Sequence, residues 1–167
     1  MTPDMFEVEL RDGHVEPLRR YMLGDSDGLE PFEADPDDAD VRAERTVFLA
    51  AVAVGVRRRF RTFNRAQIVR FVGDLRISLG EDAGDVDPLI AESIIRAALG
   101  DLPAGEIGRV QRDPEKALLA NIFILEKLRD EDIVGDEGLE DFLRECMDYA
   151  RTMLEKQRAI AAGEITL

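Results

Sequence analysis

Cysteine is almost missing from this sequence: Cys146 stands alone among 167 residues. No internal disulfide can form, and a zinc site built on paired cysteines is excluded. Histidine is as scarce. His14 is the single one, so the paired Glu-x-x-His motifs of a di-iron bundle cannot be assembled. A Ser-His-Asp or Cys-His mechanism would have to use His14 as its base. It lies in an N-terminal arm and reads as a surface histidine without a role. Tryptophan does not occur, and three lysines stand against nineteen arginines. That bias, with abundant alanine, aspartate and glycine, reads as the mark of a GC-rich bacterial coding sequence. Long apolar runs are missing too. The longest uncharged stretch, Thr46 to Val56, is eleven residues, against about 20 needed to cross a bilayer. The first residues, Met-Thr-Pro-Asp-Met-Phe-Glu, lack the basic start and apolar run of a signal peptide. Neither Gly-x-Gly-x-x-Gly nor a Walker A motif is present. These absences lead us to expect a cytoplasmic chain off the membrane, without a cofactor, and without the residue set of a common enzyme.

What the sequence does contain is charge, unevenly placed. Net charge is −14 with an isoelectric point near 4.5, so the molecule as a whole repels phosphate backbones and attracts basic partners. Between Asp25 and Asp40 lie eight carboxylates and no base. Between Arg57 and Arg76 lie seven arginines against one acid, Asp74. The rest of the chain is acidic, so the arginine run is the exception.

Helical periodicity and end signals predict an all-α fold of about five main helices. Asp-Pro pairs at 35–36, 87–88 and 113–114 place a capping carboxylate before a proline whose φ is already helical. The first helix is expected over about Pro36–Phe60, with an apolar middle at Val47–Val54 that implies burial all round. The second follows Asn64 and stops at Gly80, with Ile68, Phe71, Val72, Leu75 and Leu79 on one stripe. The third spans Pro88–Leu99, the fourth Pro114 to about Arg129, and the fifth about Glu137–Ala162. The first and fourth are expected to form the central pair. In the fifth, Cys146 sits on the apolar stripe and reads as a buried, inert thiol. Met147, Tyr149, Met153 and Ile160 on the same helix suggest a face for a second copy, a homodimer. Residues 1–34 are expected to form an irregular arm and acidic linker outside a single helical domain, 35–167. There the alternation of Phe6, Val8 and Leu10 suggests a short β-hairpin turning at Asp12-Gly13, while Pro17–Leu23 is equally compatible with a helical turn.

Two constellations carry candidate chemistry. Arg57, Arg58 and Arg59 close the first helix, and Arg61, Thr62, Asn64 and Arg65 lead into the second. Guanidinium forks beside a helix N-terminus are the ingredients of an anion site for a phosphate group, an anionic ligand or an RNA end. The same arginines also suit the C-terminal dipole of the first helix, or a clasp with the Asp25–Asp40 acids. The second constellation is Asp130, Asp132, Asp136 and Asp141, which resembles a calcium loop with glycine at its sixth position. Its fifth position is Val134 and its twelfth an aspartate, so an acidic helix–helix turn is the better reading. Sequence-specific DNA binding is disfavoured, because Glu81, Asp82, Asp85 and Asp87 crowd the start of the would-be recognition helix. The expected function is a non-enzymatic acidic interaction protein that meets a basic protein partner. A regulatory module holding an anion at the arginine run is the alternative.

Overall fold

The structure is a computed structural model that describes residues 8–164. Among these residues there is no strand, and seven α-helices are joined by turns and short 3-10 segments. No helix among them is long and apolar enough to cross a membrane. The chain falls into two compact units, residues 1–51 with 135–167, and residues 52–134. The helices are α1 (Glu16–Met22), α2 (Ala39–Arg59), α3 (Arg65–Leu79), α4 (Pro88–Ala98), α5 (Ile107–Gln111), α6 (Pro114–Asp130) and α7 (Leu139–Ala161).

In the first unit the hairpin expected at the N-terminus does not form; residues 1–7, with Phe6, lie outside the described residues. Asp12–Val15 is a 3-10 turn running into α1, the helical alternative over Pro17–Leu23. His14 decides this locally. Its Nδ1 accepts the Arg11 backbone N–H at 2.9 Å, which leaves the proton on Nε2 to be donated to Asp40 Oδ1 at 2.8 Å. His14 is therefore buried and doubly bonded, not the idle surface group its setting suggested. The acidic stretch is likewise more than a linker. Ser26–Phe32 forms a 3-10 segment with Gly28 and Pro31 buried, and it packs on α1. Its closeness depends on glycine: a Cβ at Gly28 would stand 2.4 Å from the Pro17 carbonyl oxygen and 2.6 Å from the Tyr21 nitrogen. Phe32 and Tyr21 then meet Phe48 of α2, with ring centroids 5.0 and 5.9 Å apart.

Helix α2 begins at Ala39, three residues later than the Asp35-Pro36 pair implies. Asp35 caps only a turn, accepting from the Asp37 N–H. Asp38 is the residue that accepts from Asp40 and Val41, the free donors of the first helical turn. Helix α7 follows its apolar period, burying Phe142, Leu143, Cys146, Met147, Ala150 and Leu154. Leu154 forms a small cluster with Val8 and Ala43, and Arg158 donates to the Val8 carbonyl at 2.7 Å. Met147 is thus core, while Tyr149, Met153 and Ile160 are only partly covered.

The second unit is built from well-capped helices. Asn64 and Gln67 cap α3 reciprocally, Asp87 accepts from the Leu89 and Ile90 N–H groups, and Asp113 accepts from Lys116. These caps fix helix starts where apolar stripes begin. Ile68, Phe71, Val72 and Leu75 of α3, Ile90, Ala91 and Ile95 of α4, and Ala120, Ile124, Leu125 and Leu128 of α6 are buried, and α3, α4 and α6 pack pairwise. Gly55 of α2 belongs to this core: a Cβ there would lie 2.9 Å from Leu128 Cδ1. The segment between α4 and α6 contains the short α5, five residues long.

Candidate functional site

The arginine run divides on the structure. Arg57 donates to the Ala98 carbonyl at 3.1 Å, at the end of α4. Arg58 donates to the Ile133 and Val134 carbonyls at 3.2 and 3.1 Å, in the turn after α6. Arg59 pairs with Glu131 at 2.9 Å and lies over the Phe60 and Phe71 rings. Arg57 thus answers a carbonyl left open at the end of α4, Arg58 two turn carbonyls and Arg59 a carboxylate. These named acceptors differ from one arginine to the next. Arg61, Thr62, Asn64 and Arg65 are exposed. Asn64 is occupied as the α3 cap.

Three acids of Asp25–Asp40 have partners within the first unit: Asp25, Asp27 and Asp40. Asp25 and Asp27 pair with Arg20, and both the Asp27 N–H and the Arg20 guanidinium hold the Asp25 carboxyl below the usual carboxylate range. Asp40 is also held low, chiefly by its bond from His14. One acid differs. Glu44, on α2, is partly buried, and desolvation pushes its carboxyl above the ordinary value near 4.5. Asp40, Asp38 and Glu30 push it the same way, and His14 alone opposes them.

Glu44 opens into a cleft of about 350 Å³ between α1 and the Ser26–Phe32 segment, with Glu16, Asp27, Glu30 and Arg20 on its wall and Pro17 and Pro31 beside them. The cleft is electronegative after internal pairing. Arg20 is engaged by Asp25 and Asp27, and Glu16 is engaged by Arg19. Glu30 and Glu44 have no cation within ion-pair distance among the described residues. The arrangement has the shape and charge to receive one ammonium or guanidinium head, with its aliphatic stem on the prolines.

Sequence reasoning missed this cleft. Glu44 is one of many acids, and its distinction is a partly buried setting created by a 3-10 segment that carries no strong periodic signal. It also missed a second groove of about 320 Å³, where Arg19 of α1 faces Arg144 and Arg151 of α7 over Leu143 and Met147. Its arginines are answered by Glu140, Asp141 and Asp12. The i, i+7 spacing of Arg144 and Arg151 was the available clue.

Of the calcium-like set, Asp130 ends α6 beside Arg129, Asp132 takes a left-handed φ of 57°, and Asp141 accepts from Arg144. Asp136 lies in the turn before α7. Among the described residues no three histidine, cysteine, aspartate or glutamate side chains are grouped so as to hold a metal ion. Cys146 is buried. Comparison with protein-family models, curated proteins and solved structures gives no match.

Proposed function

We propose that this chain is a non-enzymatic interaction protein whose acidic first unit binds a basic protein partner, with a lysine or arginine of that partner entering the cleft at Glu44. One observation carries the reading: a partly buried carboxylate is kept among other carboxylates, with its ionised form disfavoured and no cation within ion-pair distance among the described residues. A buried charge is ordinarily paired. Leaving one unpaired costs stability, and a partner's cation returns that cost on binding. The exposed acids Glu33, Asp35, Asp37 and Asp38 lie nearby in sequence and supply the steering field rather than the anchor.

Titration with a penta-arginine peptide by calorimetry tests this. Glu30→Gln with Glu44→Gln is expected to weaken binding about tenfold. Glu33→Gln with Asp37→Asn, which removes the same charge from outside the cleft, is expected to weaken it by about twofold or less. Equal losses in the two double variants would show attraction to general acidity and no cleft.

A further inference from the structure

Helix α3 turns one face to the core and leaves an apolar face uncovered. Val69 is 47 % exposed and Ile77 79 %, and Phe63, just before the helix, is 38 % exposed. Ala66, Val69, Gly73 and Ile77 recur at i, i+3, i+7 and i+11, so they form one continuous strip. Arg65 and Arg70 border it, and Arg61 stands before it. None of these three guanidinium groups has a hydrogen bond or a carboxylate within ion-pair distance among the described residues. In a chain with 36 acids and 22 basic residues, acids without partners are expected. Three guanidinium groups left without one beside a single apolar strip are not.

Gly73 adds to this. A glycine inside a helix weakens it, so its presence asks for a neighbour that needs the space. Gly28 and Gly55 have such neighbours inside the molecule, at 2.4 and 2.9 Å from where a Cβ would stand. At Gly73 nothing lies within 4 Å. The space over the middle of the strip is open to an approaching backbone.

We infer that the outer face of α3 docks an amphipathic helix with acidic flanks from a partner protein. The apolar side of that helix lies along Val69, Gly73 and Ile77, and its carboxylates meet Arg61, Arg65 and Arg70. Charge complementarity selects this occupant. Pairing α3 with α3 of a second copy would set arginines beside arginines. A nucleic acid would meet Val69 and Ile77 where stacking or phosphate-binding groups are wanted, on a molecule of net charge −14. This face lies in the second unit and is independent of the cleft at Glu44.

The test uses the full chain and a synthetic amphipathic peptide with leucines on one face and glutamates on its flanks. Controls are a scrambled peptide of the same composition and a single-stranded oligonucleotide. Ile77→Glu and the pair Arg65→Glu, Arg70→Glu are expected to weaken peptide binding about tenfold or more. So is Gly73→Leu, which fills the open space while favouring the helix, and it should leave the circular dichroism and melting temperature no worse than the parent's. Any of four results would overturn the inference. One is no peptide binding; a second is equal binding of the scrambled peptide. The third is tighter oligonucleotide binding that ignores Gly73→Leu. The fourth is a dimer in light scattering that Ile77→Glu abolishes, since the occupant would then be a second copy.

Discussion

The two units hold their parts together by different means. In the second, each long helix that starts there opens on a capping side chain (Asn64, Asp87, Asp113), and buried aliphatic faces meet across α3, α4 and α6. In the first, short elements are tied to α7 and α2 by single groups reaching far along the chain, Arg158 to Val8, Arg151 to Asp12 and His14 to Asp40, and Ser26–Phe32 is held on α1 by the close backbone approach at Gly28. The difference teaches where substitutions are absorbed. A set of capped helices tolerates the loss of one contact. A segment fixed by backbone contact tolerates an added methyl poorly.

The largest effect expected is in the apolar centre of the first unit. Phe142→Ala should cost about 3–5 kcal/mol in denaturant unfolding, since Phe142 is fully buried. A loss below about 1 kcal/mol would mean that α7 does not carry that core. Next comes the pair of glycines. Gly28→Ala should cost about 1–3 kcal/mol, because the obstructing atoms are backbone and cannot yield cheaply. Gly55→Ala should fall within about 1 kcal/mol of the parent. Its obstacle is the end of the Leu128 side chain, and alanine gains roughly 1 kcal/mol of helix propensity over glycine. Equal costs at the two sites would remove the distinction between the units.

Arginines sharpen it further. Arg58→Ala strands the Ile133 and Val134 carbonyls and should cost about 1–3 kcal/mol. Arg151→Ala breaks exposed pairs with Asp12 and Asp148 and should cost less than about 1 kcal/mol.

The same contrast explains how much of the molecule was legible in its residues. Arg65–Leu79, Pro88–Ala98 and Pro114–Asp130 could be read because cap, period and stop are all local. The start of α2 was placed at Asp35-Pro36 because that pair carries a strong local signal; Asp38 wins by bonding two N–H groups where Asp35 bonds one. The N-terminal turn was read as a possible hairpin because what shapes it, His14 bonding Arg11 and Asp40, is invisible in a period-two pattern. The arginine run was visible as a cluster. Its division between carbonyl-bound and uncommitted members depends on where α4 and α6 end, which spacing alone does not give.

The smallest stability effect concerns Glu44. Its folded carboxyl titrates above its unfolded one, so the folded state binds the extra proton and gains stability as pH falls through the folded value. Glu44→Gln removes the ionised form that is disfavoured at neutral pH. Its melting temperature should exceed the parent's by no more than about 3 °C at pH 7, and the gap should close as pH falls toward 4.5. A variant that melts below the parent at pH 7 would contradict the sign of this cost.

Glu44 also offers the most direct test of the proposed function. Its side-chain carboxyl can be titrated by carbon NMR in the free protein and with saturating penta-arginine. We predict a midpoint above the ordinary glutamate value in the free protein and a clear fall when the peptide is bound. A midpoint that starts ordinary, or that the peptide leaves in place, would contradict the claim that the cleft awaits a partner's cation.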